Sequence, residues 1–187
     1  MLRRPALVGL AIALVVPIAA CTQATRLPES EPSSEVAPLF ASDEEALAAA
    51  TAAYEEYLVL SSAASADPNF DRSELLRMAD VRYFDEVVAS IDALHAEGLR
   101  TEGVIGLRSA SLQQYVSETP SDATIIIYAC IDVSSVRVVD QSGTDRTPAE
   151  RQELVPLEVE IWAAGRVTPS FAVARSESWP EGSICEE

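Results

Sequence analysis

The chain has 187 residues, of which thirty are acidic and thirteen are arginine, and with no lysine its formal net charge is −17. Such a charge repels nucleic-acid phosphates and anionic lipid headgroups, so the composition argues against binding to either. The residues that follow the N-terminal region suffice for one domain with a single core.

The first twenty residues have the three parts of a secretory signal peptide. Arg3 and Arg4 supply the positive start, an apolar segment follows, and Ala19-Ala20 stand before Cys21. The apolar segment is shorter than the roughly 20 residues that a membrane-spanning helix needs, which favours cleavage. Ala19-Ala20-Cys21 resembles the bacterial lipoprotein box, and the resemblance implies a cysteine acylated with chains such as palmitate. Anchoring in the cell membrane through Cys21, facing out of the cytoplasm, is therefore expected; the alternative is an ordinary secretory cut that leaves Cys21 as a free thiol.

Residues 21–41 have the composition of a tether. They are rich in proline, serine and glutamate and show no periodic apolar pattern. Twenty such residues span about 25 Å as a flexible coil, which would hold a folded domain off the bilayer. Alternatively, Val36, Leu39 and Phe40 dock onto the domain as an arm.

Three helices are predicted next. A capping box at residues 42–45 predicts the start of a long helix, which Asp67-Pro68 stops. A second capping sequence at residues 71–74 opens a short helix. Asp80 precedes a third apolar stripe of helical period, and Gly98 suits its end because glycine adopts the left-handed conformation wanted there.

After Arg100 the apolar period changes from near 3.6 to 2, which predicts strands. The predicted strands, in chain order, are residues 104–116, bent at Gly106, then 123–139, 154–162 and 167–175. The segment 125–131 is apolar on both faces, which is typical of a central strand. Trp162 lies on the opposite face of its strand from the apolar row Val155, Leu157, Val159 and Ile161. It is therefore expected to face solvent, a partner or a second subunit, unless both faces of the strand are covered.

Helices followed by about four strands predict an α+β fold, with the helices packed on one face of a curved, mostly antiparallel sheet. The order of elements, the segment 128–133 and the closing segment 179–185 together resemble the NTF2-like (cystatin-like cone) domains of actinobacterial lipoproteins. The resemblance implies a single domain over residues 42–187 with a conical pocket. It implies no activity, because this fold serves isomerases, dehydratases, hydrolases and binding modules.

Cys130 and Cys185 form an even pair in a compartment expected to be oxidising, and we predict a disulfide between them. A redox pair or a thiolate nucleophile is the alternative. Neither has support, since the sequence offers no CxxC spacing and no plausible base.

The catalytic hypothesis is that the protein is an isomerase. An isomerase of this fold needs a carboxylate base that faces an apolar pocket and a phenol or protonated acid beside it. Asp132 and Tyr128 lie on one face of a predicted strand and are the closest match. Alternatively, Asp132 sits at a sheet edge beside Arg137 or solvent. Tyr54 and Tyr57 are candidate ligand-binding residues at a pocket mouth, and the alternative places them in the core.

Metal and cofactor chemistry have no sequence support. His95 is the single histidine, no calcium-loop pattern occurs, and the glycines do not have the spacing of a phosphate or dinucleotide loop. We predict neither a metal nor a cofactor.

The sequence thus predicts a lipid-anchored protein of the cell envelope that binds without catalysis. Its partner would be an envelope protein, a second copy docked through the face bearing Trp162, or a small apolar ligand. The alternative is an isomerase or dehydratase that acts on a small apolar substrate through Asp132 and Tyr128. An open apolar cavity containing both residues would favour the enzyme, whereas a cone filled by its own side chains would favour binding.

Overall fold

The computed structural model describes residues 37–179 and 184–186, so the predicted signal peptide, Cys21 and most of the tether lie outside the described residues. The described residues lie within one compact unit, Val36–Glu187. In this part of the chain, three helices are followed by six strands: α1 (Asp43–Ala66), α2 (Arg72–Leu76), α3 (Val81–Ala96), β1 (Leu99–Glu102), β2 (Gly106–Thr119), β3 (Asp122–Asp132), β4 (Arg137–Asp140), β5 (Leu154–Ala164) and β6 (Ser170–Ser178).

The helix ends follow the capping residues. The Glu45 backbone amide donates to the hydroxyl of the N-cap residue Ser42 at 3.2 Å, and the Glu45 carboxylate reaches back to the amide of Ala41, one residue before the N-cap, at 2.8 Å. Asp80 caps α3 by accepting from the Arg82 amide at 3.1 Å. Gly98, with φ of +72°, follows that helix in the left-handed conformation.

Four strands form the main sheet in the order β2-β3-β5-β6, and every neighbouring pair is antiparallel. Strand β3 is central, as its apolar character predicts. Shifts in register interrupt the pairing of β2 with β3 and of β5 with β6, and such bulges bend and twist strands. With the helices packed on one face, the fold is the predicted α+β class of the NTF2-like kind.

The prediction of one long strand over residues 123–139 is wrong. Strand β3 stops at Asp132, and a turn follows in which the Val136 amide donates to the Val133 carbonyl at 3.0 Å. Beyond the turn, β4 leaves the main sheet and pairs with β1 in a separate two-stranded sheet. Valines on both sides of the turn continue the strand-like pattern, so the sequence does not reveal the break.

The core lies between α1 and the inner face of the main sheet. Ala46 and Ala50 are fully buried on α1, and such small side chains allow the helix close approach to the strands. The edge of β6 is bridged at Val173, whose amide donates to the Met78 carbonyl and whose carbonyl accepts from the Asp80 amide, both at 2.8 Å. That pairing protects an edge that would otherwise be open to another chain.

The segment before α1 is docked. Phe40 is only 5% exposed, and its ring lies 5.9 Å from that of Tyr115 and 6.3 Å from that of Phe171. The Phe40 amide donates to the Tyr115 hydroxyl at 2.9 Å, and the Leu39 amide donates to the Ser117 hydroxyl at 3.0 Å. The docked arm, rather than a free tether, therefore describes residues 39–41. Within residues 37–179 and 184–186, none of the helices has the length and apolarity needed to cross a membrane.

Candidate partner-binding face

The interior of the fold, where a conical pocket was expected, is filled by side chains. Tyr54 is 1% exposed and Tyr57 is 5% exposed, and their rings stack 5.8 Å apart. The Tyr57 hydroxyl donates to that of Tyr83 at 3.1 Å, while the Tyr54 hydroxyl lies 3.4 Å from that of Ser176. Burial raises the pKa of both core tyrosines above the usual range. The structure thus places Tyr54 and Tyr57 in the core and not at the mouth of a pocket.

Asp132 and Tyr128 share the outer face of β3, the face turned away from the helices. The Asp132 carboxylate, at the end of the strand, accepts from the Ser134 backbone amide at 2.8 Å. Hydrogen bonds from the hydroxyl and backbone amide of Ser134 lower the pKa of this carboxyl. A general base in an apolar pocket would need the opposite shift. The geometry therefore assigns Asp132 the role of stabilising the turn and gives the catalytic hypothesis no support.

Trp179 and residues 184–185 lie on one half of the outer face. Cys130 and Cys185 are joined by a disulfide with their Cα atoms 5.2 Å apart, as predicted. The Ser109 hydroxyl donates to the Ile184 carbonyl at 3.0 Å beside this link. Trp179 stacks on Tyr128 with the ring centroids 3.8 Å apart. The stacked indole therefore covers one face of the Tyr128 ring.

The other half of the outer face is open, and its centre is Trp162. Trp162 is 38% exposed, and Val116 in the same row of the sheet is 39% exposed. In the register of the sheet Trp162 stands between Thr124 and Ala172, whose short side chains are too small to cover an indole. We call Val116, Thr124, Glu160 and Trp162 the Trp162 patch. Its apolar members are the kind of exposed surface that marks an interaction site.

Hydrogen bonds fix the orientation of the indole. Trp162 Nε1 donates to one carboxylate oxygen of Glu160 at 2.7 Å, and Arg175 Nε lies 3.4 Å from the other. Arg175 also contacts the carboxylates of Glu158, at 2.9 Å, and Glu177, at 3.0 Å. This network raises the pKa of the arginine, chiefly through the Glu158 hydrogen bond. The aromatic ring is therefore held in place before any partner arrives.

Two shallow concavities flank Trp162. One, of about 280 Å³, opens toward α3 and includes Arg82 and Arg175 among its lining residues. The other, of about 490 Å³, is the acidic concavity, which is lined chiefly by Glu118, Asp122, Thr124, Glu160, Trp162 and Ala164. Among the described residues, its lining contains no arginine or histidine. The open half of the face thus combines an oriented tryptophan with a concentrated negative charge.

In the described ranges, 37–179 and 184–186, no three histidine, cysteine or carboxylate side chains are grouped closely enough to hold a metal ion.

Sequence reasoning identified Trp162 but missed the residues that organise its surroundings. Alternation along β5 puts Glu158 and Glu160 on the same face as Trp162, so the sequence could have identified these two residues. The contribution of Arg175 could not be predicted, because it depends on the register between β5 and β6. A bulge next to Glu160 shifts that register. The stacking of Trp179 on Tyr128 could not be predicted from local sequence pattern either, because fifty residues separate the two in the chain.

Comparison with known proteins supports the fold and leaves the family open. No protein-family model matches the chain, and no curated protein sequence matches it. Among solved structures, the intermembrane space region of the chloroplast protein ARC6 superposes with a TM-score of 0.51 at 11% identity, covering 71% of this chain and 95% of that one. CagV, a VirB8 homologue of the Helicobacter pylori T4SS, gives a TM-score of 0.38 at 15% identity, covering 70% and 95%. The first likeness supports the NTF2-like α+β fold, whereas the second is too weak to carry an argument.

Proposed function

We propose that this protein is a lipid-anchored, non-catalytic binding module of the cell envelope, and that it recognises a protein partner through the Trp162 patch. The observation that carries the proposal is the exposed indole, which a hydrogen bond to Glu160 holds in one orientation. Aromatic anchors of this kind dominate the energetics of protein interfaces, because they bury a large area with little loss of conformational freedom.

The filled interior supports a protein partner over a small apolar ligand. Tyr54, Ile125 and Ile127 are essentially inaccessible and occupy the space that a ligand would need. The same packing argues against the isomerase or dehydratase alternative, since Asp132 lies on the outer face and not inside an apolar cavity.

The proposed location depends on the N-terminal sequence. Acylation of Cys21 would place the domain at the outer face of the cell membrane, and the Cys130–Cys185 disulfide suits an oxidising compartment. ARC6 contributes a compatible example, because the region similar to this fold is described as lying in an intermembrane space. Membership of the NTF2-like domains of actinobacterial lipoproteins is part of the same proposal.

The anchor is tested by replacing Cys21 with serine. We expect wild-type protein in the membrane fraction and the Cys21→Ser variant outside it, because two acyl chains are needed for stable attachment. Equal membrane attachment of the two proteins would contradict the proposed anchor.

The binding face is tested in producing cells with a photo-crosslinking phenylalanine analogue at Val116, inside the patch. The matched control carries the analogue at Val59, which is 54% exposed on α1. We expect Val116 to capture one envelope protein, identified by mass spectrometry, and Val59 to capture none of it. Trp162→Arg should abolish the adduct while the circular dichroism spectrum of the variant stays unchanged.

Two outcomes would contradict the proposal. One is equal capture at both positions. The other is an adduct with the mass of two copies of this chain, which would assign the patch to self-association.

A further inference from the structure

We propose that the acidic concavity beside Trp162 binds an arginine side chain from a basic segment of the partner, with the guanidinium stacked on the indole. This inference rests on the proposed function and specifies the chemistry of the partner. It would extend the role of the patch from apolar contact to recognition of charge.

The first step concerns the carboxylates of the concavity. Glu118 accepts from the Thr124 hydroxyl at 3.0 Å, and Asp122 accepts from the Thr119 hydroxyl at 2.6 Å. Both donors are neutral, so the hydrogen bonds fix the carboxylates in position without cancelling their charge. Among the described residues neither carboxylate takes part in an ion pair with an arginine of this chain.

The second step concerns the aromatic ring. A cation over the face of an indole is attracted by its quadrupole, and tryptophan is the most favourable ring for this contact. Because Trp162 Nε1 donates to Glu160, the ring is held in one orientation by the chain itself. The indole and the carboxylates of Glu118 and Asp122 line the same concavity of about 490 Å³, so one bound cation can contact both.

The third step selects arginine over lysine. A guanidinium is planar, so it can stack on the indole and still present paired N–H donors to a carboxylate. An ammonium is a compact, strongly hydrated charge and cannot make both contacts with the same geometry. The concavity therefore favours arginine when both residues are available.

The fourth step concerns a second copy of the chain as the occupant. In a symmetric pair each copy presents the same patch to the other. The carboxylates of Glu118 and Asp122 in both copies would then lie within one interface, which is unfavourable for like charges. A net charge of −17 adds general repulsion between copies. Charge complementarity thus points to a basic partner.

The test measures binding of defined peptides to the protein purified in mild detergent, by isothermal titration calorimetry. The probe is a dodecapeptide of alternating arginine and glycine, and lysine–glycine and glutamate–glycine peptides of the same length are its comparisons. We expect the arginine peptide to bind most tightly and the glutamate peptide not to bind. Trp162→Ala should weaken arginine-peptide binding about five- to tenfold, and Trp162→Phe should weaken it less because a phenyl ring remains.

The matched pair of variants separates local recognition from overall charge. Glu118→Gln with Asp122→Asn removes two negative charges at the concavity, and Glu97→Gln with Glu150→Gln removes two at exposed sites elsewhere. We expect about a tenfold loss of affinity for the first pair, because two partly exposed ion pairs with the peptide are lost, and less than about twofold for the second. Equal losses would overturn the inference, since they would show that only net charge matters.

Other results would also overturn it: no binding of the arginine peptide, or binding that is unchanged in Trp162→Ala. Sedimentation that shows a dimer dissociated by Trp162→Ala would assign the patch to a second copy. Failure of the peptide test while the Val116 crosslink to another protein persists would reject the arginine inference alone. If the wild-type protein shows neither the Val116 crosslink nor binding of the arginine peptide, the proposed function is rejected as well.

Discussion

Replacing Cys185 with alanine should destabilise the domain by about the full contribution of the disulfide. The cross-link closes a loop between positions 55 residues apart. Restricting an unfolded chain with a loop of that length stabilises the folded state by about 4 kcal/mol. Cys185 is the better residue to replace, because the Cys130 sulfur left behind is fully buried and behaves there as a small apolar group.

The tail makes a second, smaller contribution. Stacking of Trp179 on Tyr128, with the centroids 3.8 Å apart, contributes about 0.5–1.5 kcal/mol beyond the burial of apolar area. In Cys185→Ala the tail has no covalent link, so part of this contribution is lost too. Trp179→Ala in the oxidised protein removes the stacking and the apolar burial of this ring while the cross-link stays intact, and it should cost less than loss of the disulfide.

Urea unfolding followed by far-ultraviolet circular dichroism measures both effects. Wild-type protein should lose about 4 kcal/mol of unfolding free energy on reduction, whereas Cys185→Ala should be insensitive to the reductant. Its m-value should also be larger than that of the oxidised wild type, because the unfolded chain without a cross-link exposes more surface. A loss below about 1 kcal/mol would refute the reasoning, since the cross-link would then not be constraining the unfolded chain.

Three further predictions concern the core, a loop and the arm. Burial raises the pKa of Tyr57. The stability contributed by this tyrosine is therefore complete below about pH 10, where its hydroxyl begins to ionise in the unfolded chain, and is lost as the pH rises further. Tyr57→Phe should flatten this alkaline loss of stability in unfolding measured as a function of pH. Hydrogen bonds from Ser142, Thr144 and Arg146 lower the pKa of Asp140. The stability contributed by this carboxylate is therefore present above about pH 4 and is lost as the pH falls toward its pKa in the folded protein. Asp140→Asn should reduce the acid dependence of amide hydrogen exchange in β4. Phe40→Ala should cost about 3 kcal/mol in urea unfolding, because the ring is buried, and a loss near zero would show that the arm does not dock.

The helices were predictable because their signals are local. Each start is encoded by an oxygen-bearing side chain within a few residues of the amides it caps, as Ser42 and Asp80 show. The central position of β3 was predictable from apolar residues on both faces. The end of that strand was not, since the valines after Asp132 continue the pattern through the turn and into β4.

Pairing over long distances was the part that local pattern could not supply. Strands β1 and β4 pair in a register that places Leu99 opposite Asp140. The sequence of such short strands does not indicate which strand each will pair with. The filled interior is a similar case. The sequence placed Tyr54 and Tyr57 on one helical stripe, but only packing against the sheet decides whether a tyrosine borders a cavity or occupies it.

The candidate site divides in the same way. The sequence by itself determined that Trp162 faces away from the apolar row of β5, because side chains alternate along a strand. It also determined the cysteine pair and the excess of acidic residues. Only the tertiary structure decided that Trp179 covers Tyr128 while Trp162 remains exposed, and that Glu160 and Arg175 orient its ring. Those outcomes depend on strand register and on where Trp179 lies, because both bring together residues that are far apart in the sequence.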